Sequence, residues 1–169
     1  MKLKLAPLKY AFLSFLLAYF APFQVTTAQN SWQVYEFNPG GFRMMFPTQP
    51  TVSFLDDNAL QARAISNATV YRAVTIWNRS YNMSIANDLL KESESLLKPE
   101  TDKVESNQNF TFLSFPSKEI RFRTDRGSAV IFRTIITPNQ LFQFYIIRNQ
   151  QYASESEVNQ FFGSFQLVK

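Results

Sequence analysis

Residues 118–148 constrain the fold more than any other part of the chain. They read KEIRFRTD-RG-SAVIFRTIIT-PN-QLFQFYIIR: three runs rich in β-branched and aromatic residues, divided by two turn signals. Such runs joined by short turns predict an antiparallel three-strand meander. Gly127 points to a three-residue loop, Asp125-Arg126-Gly127, with the glycine in the left-handed position of a bulge. Thr124 then opposes Ser128, Phe122 opposes Val130, Ile120 opposes Phe132, and Glu119 opposes Arg133 as a cross-strand ion pair. A two-residue loop would set Ile120 against Arg133 and lose that agreement.

Extended through Pro138-Asn139, this register sorts the side chains onto two faces. One holds Ile120, Phe122, Val130, Phe132, Ile136, Leu141, Tyr145 and Ile147, and reads as core. The other holds Arg121, Arg123, Arg133 and Arg148 among Ile131, Ile135, Phe142, Phe144 and Ile146. This second face reads as an arginine–aromatic surface for an acidic partner or ligand, with the four arginines, Phe142 and Phe144 as its candidate binding residues. The competing reading lays the arginine stems over a half-covered sheet and pairs them locally with Glu119 and Asp125.

The rest of the chain supports an α+β protein. Residues 32–37 and 42–46 flank Asn38-Pro39-Gly40-Gly41 as an opening hairpin. Pro47 and Pro50 end it, and the segment through Asp56-Asp57-Asn58 reads as loop. Residues 60–65 and 69–77 form a second hairpin around Ser66-Asn67. Ile85, Leu89, Leu90, Leu96 and Leu97 share a helical face that ends at Lys98-Pro99. Residues 100–107 are polar and aperiodic, which predicts a mobile loop, and strand character resumes over 110–115 until Pro116. Ser154 and Glu157 make a capping box before the stripe Val158, Phe161 and Phe162, with Gly163 as the expected left-handed C-cap. The closing helix, with Phe165, is expected to cover the apolar face of the meander.

The first 28 residues read as a secretory signal peptide: Lys2, Lys4 and Lys9, then an apolar run over 10–21, then Thr26-Thr27-Ala28 before Gln29. An uncleaved anchor is the alternative, although the run is short for a bilayer span. The expected working domain is therefore residues 29–169, acting outside the cytoplasm in a periplasm, a thylakoid lumen or as a secreted protein. Without those three lysines the charge is 14 basic against 13 acidic residues, which leaves no electrostatic footprint for nucleic acid.

The chain has no Cys and no His. That removes disulfides, imidazole and thiolate metal sites, haem ligation and every His-based catalytic triad. It also favours a bacterial envelope, or a compartment derived from one, over a disulfide-rich eukaryotic secretory route. Asn67, Asn78, Asn82 and Asn109 each begin an N-x-S/T pattern that matters only in a glycosylating host. The four glycines are all used by expected turns and caps, so no phosphate-cradling loop remains, and no cofactor is expected. Asp56-Asp57-Asn58 could touch a hard cation, but no further ligand spacing supports a site. Ser117-Lys118 could be read as a dyad, but strand neighbours point to opposite faces. No catalytic residue and no metal ligand is assigned.

Three segments carry a family resemblance. Gly41-Phe42-Arg43-Met44-Met45-Phe46-Pro47-x-x-Pro50 resembles the "GF-x-hydrophobic-x-FP-x-x-P" opening of the PsbP/Mog1-like superfamily. Val158-x-x-Phe161-Phe162-x-Ser164-Phe165 is similar to its closing helix and "F-x-x-SF" signature, and residues 113–120 are similar to a "pG-(K/R)-E" strand, with Ser117 in place of the usual Gly. The resemblance implies an antiparallel sheet of about seven to eight short strands flanked by helices, and a non-enzymatic role. PsbP proteins are extrinsic subunits or assembly factors on the lumenal side of photosystem II, and Mog1 binds a small GTPase. The chain departs from cyanobacterial PsbP in lacking a lipid-anchor cysteine.

The leading expectation is a non-catalytic extracytoplasmic binding or assembly module that meets a protein partner or a membrane complex such as photosystem II. A small-ligand or lipid carrier would instead need a Phe-lined cavity of roughly 300 Å³ or more. A His-free hydrolase would need a cleft holding two carboxylates of raised pKa.

Overall fold

The structure, a computed structural model, describes residues 32–92 and 102–168. The predicted signal peptide, Leu96, Leu97 and Lys98-Pro99 lie outside the described residues. Strands β1 (Gln33–Phe37) and β2 (Phe42–Phe46) form the opening hairpin, joined by a 3-10 turn over Asn38–Gly40. β3 (Thr51–Asp56), β4 (Ala59–Ser66) and β5 (Thr69–Ile76) follow, then helix α1 (Ala86–Glu92). β6 (Lys103–Phe112), β7 (Phe115–Arg123), β8 (Ser128–Ile136) and β9 (Leu141–Asn149) lead to α2 (Glu155–Gly163) and the two-residue β10 (Gln166–Leu167).

Seven strands form one antiparallel sheet in the order β3-β4-β5-β9-β8-β7-β6. β1, β2 and β10 form a second, smaller sheet. The meander has the predicted register: Glu119 lies opposite Arg133, Ile120 opposite Phe132 and Phe122 opposite Val130. Gly127 adopts φ +79°, and the Thr124 and Gly127 backbone N–H groups close the loop onto Ser128 and Thr124 at 2.9 Å each. A side chain at that φ would be strained, and glycine avoids the cost.

Two segments read as loop are strands. β3 lies between Pro50 and Asp57 and pairs along β4, with an irregularity between Phe54 and Asp56. β6 takes up residues 103–107, with a bulge between Val104 and Ser106. Both are edge strands, and an edge strand bonded on one side does not need an apolar alternation to hold its place. Their turn also differs from expectation. Leu113 and Ser114 both have positive φ, so β6 and β7 join in a two-residue hairpin that carries no Gly or Asn signal. Pro116 sits inside β7 opposite Thr111, at a level the β8 pairing, which begins at Ser117, does not reach.

The core reverses the expected faces. Ile131, Ile135, Phe142, Phe144 and Ile146, from the arginine-bearing face, belong to the main cluster with Tyr71 and the β4 alanines. Phe37, Phe42, Met44 and Phe46 of the small sheet, Val158, Phe161 and Phe162 of α2, and Phe165 close that cluster from the other side. Ile120, Phe122, Val130 and Phe132 form a smaller cluster on the opposite face. α1 contacts β7 and β8, and its Ala86 and Leu90 are buried. Ile85, expected on its apolar face, lies in the preceding 3-10 turn and is exposed.

Both meander faces are apolar enough to be buried, so alternation alone does not say which receives the larger layer. The closing helix and the small sheet decide it. Gly40 shows how closely the small sheet docks: a Cβ there would stand 2.7 Å from Thr75 Cγ2 and 3.1 Å from Leu60 Cδ2. The capping box of α2 is present, with Ser154 and Glu157 bonded reciprocally. Its end differs from expectation: Gly163 is the last helical residue, and the C-cap is Ser164 in right-handed geometry. The Ser164 hydroxyl donates to Phe161 O and accepts from Met45 N, both at 2.8 Å, which ties the helix end to β2.

Candidate functional site

The four arginines singled out in the meander lie along α2 and the segment that leads into it, and each has an acidic partner. The capping box turns the Glu157 carboxylate back over the first turn, where it accepts from Ser154 N at 2.9 Å and from the Ser154 hydroxyl at 2.8 Å. There it also meets the Arg148 guanidinium and accepts from the Tyr71 hydroxyl at 3.1 Å. Arg148 in turn donates through Nε to Thr69 Oγ1 at 2.6 Å.

A second set bridges strand to helix. Glu119 receives Arg121 Nε at 2.9 Å on one oxygen and Arg133 Nε at 2.5 Å on the other. Arg121 continues to Glu155, at the first turn of α2, at 2.9 Å. The Arg133 guanidinium lies 4.5 Å from the Phe162 ring centroid and 5.3 Å from that of Phe110, a position between two π-faces that favours a cation. Arg123 pairs with Glu105 of β6 at 2.8 Å, donates to Gln150 O at 2.6 Å, and stands 5.1 Å from the Tyr152 ring centroid.

An open groove of about 420 Å³ runs beside these pairs, lined by Glu105, Ser106, Gln108, Glu119, Arg121 and Tyr152. The Tyr152 hydroxyl is shielded from solvent and meets no partner at good hydrogen-bond geometry, while burial and then the nearby Glu105 carboxylate push its pKa up to about 12. A second open groove, of about 540 Å³, crosses the outer side of the small sheet between Val34, Arg43, Met45, Ser164 and Gln166. Arg43 is held there by Gln166 Oε1 at 2.8 and 2.7 Å.

Three carboxylates at the site, Glu105, Glu155 and Glu157, are held ionised. Arg123 keeps Glu105 below the usual range, and Arg121 does the same for Glu155. Burial works against the charge on Glu157, but bonds from the Ser154 hydroxyl and backbone, Arg148 and Tyr71 outweigh it and bring its pKa down to about 2. Tyr71 moves upward, chiefly through burial and then through the charge of Glu157.

A carboxylate depressed in the folded protein contributes stability that is complete above its ordinary pKa of 4.5 and is lost as pH falls towards 2. With its side chain a quarter exposed, solvent screening trims the Glu157 contribution to about 1–2 kcal/mol. Glu157→Gln is therefore expected to lower unfolding free energy by that amount at pH 7 and to flatten its fall between about pH 4.5 and 2. Urea denaturation followed at several pH values reads both effects.

Phe142 and Phe144 are 0% and 1% exposed beneath α2, so they belong to the core rather than to a surface. Arg148 is the most covered of the four, Arg121 and Arg133 are equally half-covered, and Arg123 is the most accessible. Sequence reasoning missed Glu105, Tyr71 and Tyr152, and read Glu157 only as a cap. The double use of Glu157, which caps α2 and also meets Arg148 of β9, leaves no mark in sequence spacing. Ser117 and Lys118 are both buried, and the Ser117 hydroxyl donates to Phe115 O at 3.1 Å rather than facing its neighbour. No group of three acidic side chains placed to hold a metal ion occurs among the described residues. No helix among them is long and apolar enough to cross a membrane.

No protein-family model and no curated protein sequence matches the chain. Among solved structures it is similar to a protein of unknown function from Pseudomonas aeruginosa, with TM-score 0.41 and 9% identity over 70% of this chain and 83% of that one. It is also similar to cyanobacterial PsbP (CyanoP) from Synechocystis sp. PCC 6803, with TM-score 0.57 and 9% identity over 82% of this chain and 94% of that one. The seven-stranded antiparallel sheet, covered by a short closing helix and a small second sheet, is thus a PsbP-like α+β fold.

Proposed function

We propose that this protein is a non-catalytic binding or assembly module that works outside the cytoplasm, through contacts of its surface with a protein partner or a membrane complex. The observation that carries this reading is the ionisation of the site. Glu105 and Glu155 are held as charged carboxylates by an arginine, and Glu157 by the Ser154 cap together with Arg148, which is the reverse of the raised pKa that a carboxyl acid catalyst needs. The aromatic rings expected to line a carrier cavity pack on one another instead, and neither described groove has a phenylalanine in its wall.

The PsbP-like fold makes a photosynthetic membrane complex the first candidate partner, with photosystem II the specific one. Arg121 and Arg123, at the wall and edge of the groove, are the proposed contact residues, while Arg133 and Arg148 hold α2 on the sheet. Affinity capture of the tagged protein from the lumen or envelope fraction of its own host, with partners identified by mass spectrometry, tests this. Co-purified photosystem subunits, reduced at least about tenfold by Arg121→Gln and restored by low salt, are the expected result. Capture of no membrane-complex subunit, or capture indifferent to Arg121→Gln and to salt, would sink the reading.

A further inference from the structure

The seven-stranded sheet leaves β3 at one edge, and all six of its residues are exposed. Val52, Phe54 and Leu55 are 46%, 63% and 53% exposed, so its apolar side chains stand beside a row of backbone groups that no strand among the described residues pairs. Proteins that stay monomeric blunt such an edge with charge, bulges or cover. The opposite edge does so: β6 carries Lys103 and the ion-paired Glu105, with its bulge between Val104 and Ser106. β3 carries no charge before Asp56, and its irregularity comes only at the end, after Phe54.

We propose that β3 is the interface for a second copy of this chain, pairing antiparallel across a two-fold axis at Ser53 to join the two sheets into one of fourteen strands. The register follows from parity and charge. In an antiparallel pair, opposed residues point to the same face, so a two-fold on Ser53 sets Val52 against Phe54 of the second copy, and Phe54 against its Val52. Two apolar cross-strand pairs form on one face, and serine meets serine on the other.

The charges near β3 agree with this register. Arg63 of β4, opposite Thr51, is exposed and makes no ion pair among the described residues. Asp56 accepts only the N–H of Asn58 in its own turn. The bulge after Phe54 sets Asp56 opposite Ala59, on the face that carries Arg63, and the two-fold brings Asp56 of each copy level with Thr51 of the other. Two strand spacings, about 10 Å between backbones, then separate the acid from the base, within the combined reach of their side chains. The same ion pair forms twice by symmetry. A slip of the axis to Phe54 would set Phe54 against its own copy, leave Val52 without an apolar partner and move Asp56 from the level of Arg63 to that of Gln61.

The absence of native cysteine makes the test direct. Opposed residues in an antiparallel pair have Cα atoms about 4.5–5.5 Å apart, within disulfide range. Ser53→Cys treated with a mild oxidant is expected to give a covalent dimer as the main product, while Asn109→Cys, in the middle of β6, stays a single chain. Sedimentation equilibrium of the unmodified protein across a dilution series is expected to show twice the mass of one chain. Phe54→Lys should weaken association at least about tenfold without lowering the stability of the dissociated chain, read by urea unfolding at concentrations where both proteins are monomeric, since Phe54 is exposed within one copy. Arg63→Asp should weaken it too, and adding Asp56→Arg should recover it.

A monomer at every concentration overturns the proposal, including the case where a strand of another protein fills this edge. A dimer in which Ser53→Cys does not cross-link, or which ignores Phe54→Lys, places the interface elsewhere and overturns it as well. Loss with Arg63→Asp that Asp56→Arg does not repair overturns the register.

Discussion

Replacing Phe42 with alanine is expected to remove about 3–5 kcal/mol of stability, the largest loss from any single change considered for this protein. Phe42 is fully buried. Its ring stacks on Phe37 at 4.7 Å and meets Phe142 at 5.8 Å and Phe165 at 6.0 Å, so it joins the small sheet, the large sheet and the chain end in one contact. Truncation removes the transfer free energy of the ring and leaves a cavity. Its walls are parts of three separate elements, so it can collapse only if the layers move. Against a net stability of about 5–15 kcal/mol this is a large fraction. Urea denaturation should show the midpoint falling by about 1–3 M. Ile85→Ala, at an exposed position, should stay within about 0.5 kcal/mol of the parent. Equal effects at the two sites would mean that the rings do not hold the layers together.

Glu119→Gln is the second large effect, expected at about 2–3 kcal/mol. Its carboxylate, 13% exposed, takes one bond from Arg121 and one from Arg133. The glutamine amide has one oxygen and no charge, so at least one guanidinium loses its acceptor in a place where water reaches it poorly. Arg133 suffers most, because Phe162 and Phe110 flank its guanidinium. Combining Glu119→Leu with Arg133→Met removes both charges and keeps apolar length under Phe162, so the pair should recover most of the loss. Thermal and urea unfolding of the single and double variants, read as a double-mutant cycle, gives the coupling directly. Additive losses would show that the ion pair is incidental to the docking of α2.

The meander was legible because two independent signals agree. Gly127 sets the loop length, and the apolar and charged side chains then match across it in only one register. The opening hairpin, the β4–β5 hairpin and the N-terminal turn of α2 were legible for the same local reason, since turn and cap chemistry acts over a few residues. β3 and β6 were not legible. TVSFLD between prolines and an Asp-Asp-Asn turn, and KVESNQNF with its polar side chains, lack the alternation of a half-buried strand. They hold their places through backbone bonds to β4 and β7, which leave no mark on side-chain pattern. The hairpin at Leu113-Ser114 was hidden because neither residue is one that favours positive φ.

The candidate site divides in the same way. That Glu119 faces Arg133 follows from register alone. That Arg121 reaches Glu155, that Arg148 reaches Glu157, and that Arg123 reaches Glu105 does not, because these partners arrive from α2 and from an edge strand. The sequence by itself determined which residues share each face of the meander, because strand alternation and turn length are local. Only the tertiary structure decided which face became the main core: α2 and the small sheet bring seven further large apolar side chains, Phe37, Phe42, Met44, Phe46, Phe161, Phe162 and Phe165, to the arginine side. Burial follows the larger available apolar layer. The arginines around that layer are then stabilised by the acids that α2 and β6 place beside them.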